Sequence, residues 1–135
     1  VEEAAQHGKT LARNDLNNIC LVAPTSPRER IRRIVGAGTG FVYCVSREGV
    51  TGMQKELSPA AVSLVRKTKQ LTRLPVALGF GISTAEQAQT AAREADAIVV
   101  GSAIVDRFAS APNTSRGRAT AAAWVKTLVQ AVRRV

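Results

Sequence analysis

Cysteine is scarce. Cys20 and Cys44 are the only two in 135 residues, too few for a disulfide scaffold. The single histidine, His7, has no cysteine or second histidine near it, so the clustered ligands of a metal site are lacking. Aromatic residues make up 4% of the chain, which leaves few platforms for stacking nucleic-acid bases. No apolar run approaches the roughly 18 residues that span a bilayer, and no basic-then-apolar leader opens the sequence. A reducing cytoplasm is the expected setting. Acidic residues are also few, with 10 Asp+Glu against 19 Lys+Arg and a formal net charge of +9. Such a balance calls for an anionic partner: nucleic acid, acidic lipid or a phosphorylated small molecule. The cations are spread along polar stretches, at Arg28, Arg30, Arg32, Arg33, then Arg66, Lys67, Lys69, Arg73, then Arg116, Arg118, Arg133 and Arg134. That scatter, with so few aromatics, argues against nucleic acid.

What is present is an ordinary globular composition, 45% hydrophobic and 21% charged, on a length that fits one domain over 1–135. The first residue is Val rather than Met, as in a processed chain or a piece of a longer one. Four short apolar runs stand out: Ile19 to Ala23, Phe41 to Val45, Pro75 to Leu78, and Ala97 to Val100. They lack polar alternation, as parallel strands covered on both faces do. Amphipathic stretches lie between them. Ser26-Pro27 and Ser58-Pro59 each read as a serine cap followed by proline at the first helical position. A third helix is expected to open at Ser83 or Thr84, and Ser83 to Glu86 has the spacing of a capping box. A last helix is expected from about Ala119 to Arg134, with Trp124, Leu128 and Val132 along one face, after a loop from Ser110 to Gly117. The order α-β-α-β-α-β-α-β-loop-α implies βαβ units and a parallel sheet, in either a doubly wound or a barrel form.

Three glycine-bearing segments follow strands: Ser46 to Gly52, Gly79 to Thr84, and Gly101 to Val105. Parallel α/β proteins place their ligands at the carboxyl ends of strands. Glycine lets backbone approach an anion, and free amides at a helix start point at it. Taken singly, each segment could be only a tight turn. Together they suit a phosphate, held by the amides of Gly81, Gly101 and Ser102 and by the Ser102 hydroxyl. The P-loop pattern is absent, and Gly79-Phe80-Gly81 lacks the third glycine of a dinucleotide fingerprint.

Phe41 to Ser46 followed by Gly49-Val50-Thr51-Gly52, then Leu78 to Ser83, then Ile98 to Val105, resemble the tryptophan synthase alpha chain. Leu21 to Thr25 and the opening Val1-Glu2-Glu3 fit the same pattern, and the likeness is weakest over 106–120. The resemblance implies an α/β fold of the (β/α)₈ TIM-barrel family. Such barrels need about 250 residues, so this chain would supply a half barrel, strands five to eight. The family cleaves indole-3-glycerol phosphate in a retro-aldol step to indole and glyceraldehyde 3-phosphate, within tryptophan biosynthesis. Its acid/base Glu and Asp belong to strand two and the loop after it, upstream of Val1. No catalytic residue is therefore expected here, and the isolated chain is expected to be inactive.

By the same resemblance, Gly52, Gly81, Gly101 and Ser102 bind the substrate phosphate. Tyr43 and Phe80 line the indole pocket, and Gly49 and Thr51 belong to a lid loop. Tyr43 also reads as a plain core aromatic. No metal and no cofactor are implied for this chain, since pyridoxal phosphate belongs to the partner beta chain. Expected partners are the small-molecule phosphate substrate, that beta chain, and either an N-terminal half barrel or a second copy, because the outermost strands would have unpaired edges. The location implied is cytoplasmic, or plastid in a photosynthetic eukaryote. A stand-alone phosphate-binding or assembly module without catalysis is the other reading. Cys20 and Cys44 read as small core residues, His7 as a surface residue, Glu48 as a solvated lid residue and Trp124 as a packing residue.

Overall fold

Four apolar runs become four parallel strands. A computed structural model describes residues 4–45, 58–79 and 81–135. In chain order the elements are α1 (Ala4–Arg13), β1 (Cys20–Val22), α2 (Arg28–Gly36), β2 (Val42–Val45), α3 (Pro59–Lys69), β3 (Val76–Gly79), α4 (Ala85–Glu94), β4 (Ala97–Val99), α5 (Ser102–Ala109) and α6 (Ser115–Val132). The sheet order is β1-β2-β3-β4, so each strand lies beside the one that precedes it. Tyr43 pairs with Leu21 on one side and Ala77 on the other, and Gly79 pairs with Val45 and Val99.

Strand side chains alternate between two faces, and the faces differ sharply. Val22, Val42, Cys44, Val76 and Leu78 point toward the helices and are buried. There they meet Ile31 and Val35 of α2, Ala61, Leu64 and Val65 of α3, and Ala88 and Ala91 of α4. A fully buried Val, Ile or Leu contributes about 1.5–3 kcal/mol relative to exposure, so this layer holds the fold. The other face carries Leu21, Tyr43, Val45, Ala77, Gly79, Ala97 and Val99. At β1 its Leu21 is 62% exposed, while Ala77 and Gly79 of the inner strand β3 are buried, Gly79 beside the Tyr43 ring. The face is open.

Helix starts follow local chemistry, with two corrections. Ser58 Oγ accepts from Ala61 N at 3.1 Å with Pro59 behind it, as expected. At α2 the cap position falls to Pro27, which has no side-chain acceptor, so Ser26 does not cap that helix. At α4 the cap is Thr84, the second of the two expected starts, and the box expected from Ser83 to Glu86 is displaced by one residue. The box closes between Thr84 and Gln87, whose amide reaches back to the cap backbone, while Glu86 also hydrogen-bonds the Thr84 side chain. Two further differences lie after β4. The sequence order contains no helix there, yet α5 forms from Ser102 to Ala109, and α6 starts at Ser115 rather than near Ala119. Thr114 Oγ1 accepts from Gly117 N at 3.0 Å and sets that earlier start.

Polar ties join neighbouring layers. Arg66 of α3 forms two bonds to Glu94 of α4, Nε to Oε2 at 2.8 Å and Nη2 to Oε1 at 2.7 Å. Lys69 Nζ donates to Asp96 Oδ1 at 2.8 Å, while Val76 N donates to Asp96 Oδ2 at 2.9 Å. Trp124 is half-buried on α6, with the Arg107 guanidinium 5.1 Å from its ring centroid. Cys44 is buried and Cys20 half-buried, both as free thiols. His7 lies exposed on α1. Among the described residues no helix is long and apolar enough to cross a membrane.

Candidate functional site

Tyr43, Gly81, Gly101 and Ser102 all lie on the strands or strand exits of β2, β3 and β4, and the two loop segments leave the sheet at its carboxyl end. Tyr43 is half-buried on the open face. Its ring crosses to β3, where an ideal Cβ on Gly79 would fall 2.6 Å from Tyr43 Cζ and closer still to the hydroxyl. Glycine at 79 is what gives the phenol its place. That role was hidden in the sequence, where Gly79 reads only as part of a glycine-rich turn.

Past Gly79 the chain turns through Gly81, whose φ of +76° suits glycine. A Cβ there would meet nothing within 4 Å, so backbone conformation and open space coincide. The rest of the turn is tied down by Gln87. Its Oε1 accepts from Ser83 N at 2.8 Å, from Ser83 Oγ at 3.2 Å and from Thr84 N at 3.2 Å. Ile82 is buried beneath the turn. Gln87 is thus an organiser of the loop, legible in retrospect from the Thr-x-x-Gln spacing.

Gly101 occupies the cap position of α5 and supplies no side-chain acceptor. Helices α3, α4 and α6 each have a side-chain oxygen there, from Ser58, Thr84 and Thr114. The first amides of a helix have no intrahelical acceptor, so those of Ser102 and Ala103 stand available, with the positive end of the helix behind them. Gly101 and Ser102 are exposed, and a Cβ on Gly101 would meet nothing within 4 Å. Open glycine backbone beside an uncapped helix start is a place for an anion. Gly49, Thr51, Gly52 and Phe80 lie outside the described residues, as does Glu48. Among the described residues no group of three or more His, Cys, Asp or Glu is placed to hold a metal ion.

The cysteines do not join this site. Cys44 points into the helix-covered layer, with its thiol donating to Thr68 Oγ1 at 3.6 Å. Burial pushes the thiol of each cysteine above its ordinary range, the Thr68 bond partly opposing this at Cys44. A raised thiol is a poor nucleophile.

Residues 1–133 match the family described as tryptophan synthase alpha chain. The chain belongs to that family. The alpha chain of Opitutus terrae is 46% identical over 108 residues, covering 78% of this chain and 40% of its own length. That of Chloroflexus aggregans is 40% identical over 136 aligned positions, covering 100% of this chain and 50% of its own. Among solved structures, tryptophan synthase from Mycobacterium tuberculosis superimposes with a TM-score of 0.81 at 36% identity, covering 98% of this chain and 48% of that one. A mutant alpha-subunit from Pyrococcus furiosus gives 0.82 at 30% identity, with 96% and 51% covered. The chain therefore spans about half the length of the relatives it matches. Its four parallel strands are half of a tryptophan synthase alpha-family TIM barrel.

Proposed function

We propose that this chain carries the phosphate-holding side, and part of the indole pocket, of a lyase in tryptophan biosynthesis. The reaction is the retro-aldol cleavage of indole-3-glycerol phosphate to indole and glyceraldehyde 3-phosphate. One observation carries the reading: α5 starts uncapped at Gly101, on the strand next to the open Gly81 turn. Two phosphate-accepting backbones on adjacent strands match the substrate's one phosphate group. Fixed amides bind an anion without reorganising, which is how such a site anchors one end of a substrate. By the family's pattern Gly52, outside the described residues, would join them.

The indole end would rest against Tyr43 and, by the family's pattern, Phe80, with Gly49 and Thr51 as the family's lid residues. Cleavage requires a proton at the indole ring and loss of the glyceryl hydroxyl proton, and so an acid/base group within hydrogen-bond reach. The family's Glu and Asp lie upstream of Val1. The 135 residues alone therefore bind without turning over. The chain itself uses no cofactor. In the complete enzyme indole passes to the beta chain, where pyridoxal phosphate resides, in the cytoplasm or, in a photosynthetic eukaryote, the plastid.

The test is an amide spectrum titrated with indole-3-glycerol phosphate at low and high salt. Shifts confined to Gly52, Gly81, Gly101 and Ser102, persisting at high salt, are expected. Shifts spread over the arginines of α2 and α3 that vanish with salt would overturn the assignment, as would turnover of the substrate by the pure chain overturn its inactivity.

A further inference from the structure

Two helix starts follow neighbouring strands, α4 after β3 and α5 after β4, and they are finished in opposite ways. At α5 the cap position is Gly101, which brings no side-chain acceptor. At α4 the helix's own side chains and its cap take up the nearby donors. Gln87 Oε1 accepts from Ser83 N at 2.8 Å, from Ser83 Oγ at 3.2 Å and from Thr84 N at 3.2 Å. Gln87 N donates in turn to Thr84 Oγ1 at 3.2 Å. The Glu86 carboxylate bonds its own backbone amide and the Thr84 hydroxyl. The start of α4 is closed.

The acceptor at the centre of this arrangement is neutral. Gln87 is only 8% exposed, whereas Glu86 beside it lies in solvent. Glutamate has nearly the shape of glutamine, and its ionised carboxylate accepts from N–H and O–H donors more strongly than an amide oxygen does. For hydrogen bonding alone, glutamate would serve position 87 better. What it would add is a buried negative charge, bonded to a residue two positions past Gly81. Water and salt screen the charge of Glu86, but they would screen one at 87 much less.

We infer that Gln87 is a positioning residue for the substrate phosphate: it withholds the Ser83 and Thr84 amides from the anion and, being uncharged, sets no repelling charge beside Gly81. The anion is thereby directed to Gly81, Gly101 and Ser102 instead of to the positive end of α4. Two properties of one side chain are at work. Acceptance is shared by glutamine and glutamate, and neutrality by glutamine and methionine. The inference rests on the phosphate reading under the proposed function.

The test compares Gln87→Glu and Gln87→Met with the unaltered chain. Amide spectra are titrated with glycerol phosphate and with glycerol sulfate at about pH 8, where the phosphate ester carries about two charges and the sulfate ester about one. Coulomb repulsion scales with ligand charge. Gln87→Glu should leave the Ser83 and Thr84 amides as slow to exchange as before. It should weaken glycerol phosphate about tenfold and the sulfate only about threefold. Gln87→Met should speed the exchange of both amides and weaken the two esters by the same factor. Undiminished phosphate affinity in Gln87→Glu would overturn the inference, as would equal losses for the two esters. So would unchanged exchange in Gln87→Met, which decides the matter alone if the glutamate variant does not fold. An unaltered chain whose Gly81 and Gly101 amides ignore both esters would overturn the phosphate reading, and this inference with it. Binding that is the same in all three chains would overturn this inference alone.

Discussion

Tyr43 and Gly79 share one volume: the phenol on β2 lies where a side chain on β3 would have to stand, 2.6 Å from the ring carbon bearing the hydroxyl. Two residues 36 positions apart thereby set the shape of the open face at the carboxyl end of the sheet. Gly79→Ala should force the ring aside and also crowd Val99, whose Cβ lies 3.1 Å from the added methyl. Overpacking of this kind costs about 1–3 kcal/mol. Urea denaturation should record that loss in the native background and much less in Tyr43→Ala. Equal losses in the two backgrounds would refute the coupling.

Gly101 separates binding from stability. A Cβ there would meet nothing within 4 Å. Gly101→Ala should therefore leave the melting temperature nearly unchanged while weakening phosphate affinity about tenfold, by filling the space an anion needs. Titration calorimetry with glycerol phosphate on the barrel completed by its other half checks both ends of this claim. Undiminished affinity would remove Gly101 from the site.

Asp96 contributes to the acid limb of stability, as do Glu86 and Glu94, whose carboxyls are also held below their ordinary range. Asp96 accepts from Val76 N and Lys69 Nζ, and its own N donates to Val76 O at 2.9 Å. The Lys69 bond first, and the Val76 amide second, hold its carboxyl below the ordinary aspartate value of 3.8. A lowered folded value means the stabilisation is complete above pH 3.8 and is lost as pH falls through that lowered value. Asp96→Ala should cost about 1–2 kcal/mol at neutral pH, chiefly by leaving the Val76 amide without its acceptor. It should also flatten the fall in stability below about pH 4. An unaltered acid profile from chemical denaturation would assign that fall elsewhere.

Gly117 fixes where α6 begins. An added Cβ would stand 3.0 Å from Pro112 C and nearer to its carbonyl oxygen, and backbone yields less readily than a side-chain tip. Gly117→Ala should destabilise by about 2–3 kcal/mol. Thr114→Ala, which only removes the cap oxygen, should cost about 1 kcal/mol. Thermal unfolding that ranks the two the other way would place the constraint in the cap instead.

The sequence by itself determined the sheet. Each short apolar run without polar alternation reads as a parallel strand, although helices cover only one of the two faces expected to be buried. Ser58-Pro59 can start a helix with no outside help. The positions of Gly81 and of the Gly101-Ser102 pair just after β3 and β4 were likewise legible, since glycine marks the turn that leaves a strand. Tertiary structure decided what local pattern leaves degenerate. Ser83 and Thr84 are equally good caps until Gln87 folds back and collects the amides of both. The Ser102–Ala109 stretch becomes a helix in a place where the alternating pattern needed none. Gly79 acquires its purpose from a tyrosine one strand away. The open face is the clearest case, because Leu21 and Val22 are neighbours of one apolar type. Only the sheet's position against one layer of helices buries the second and leaves the first exposed.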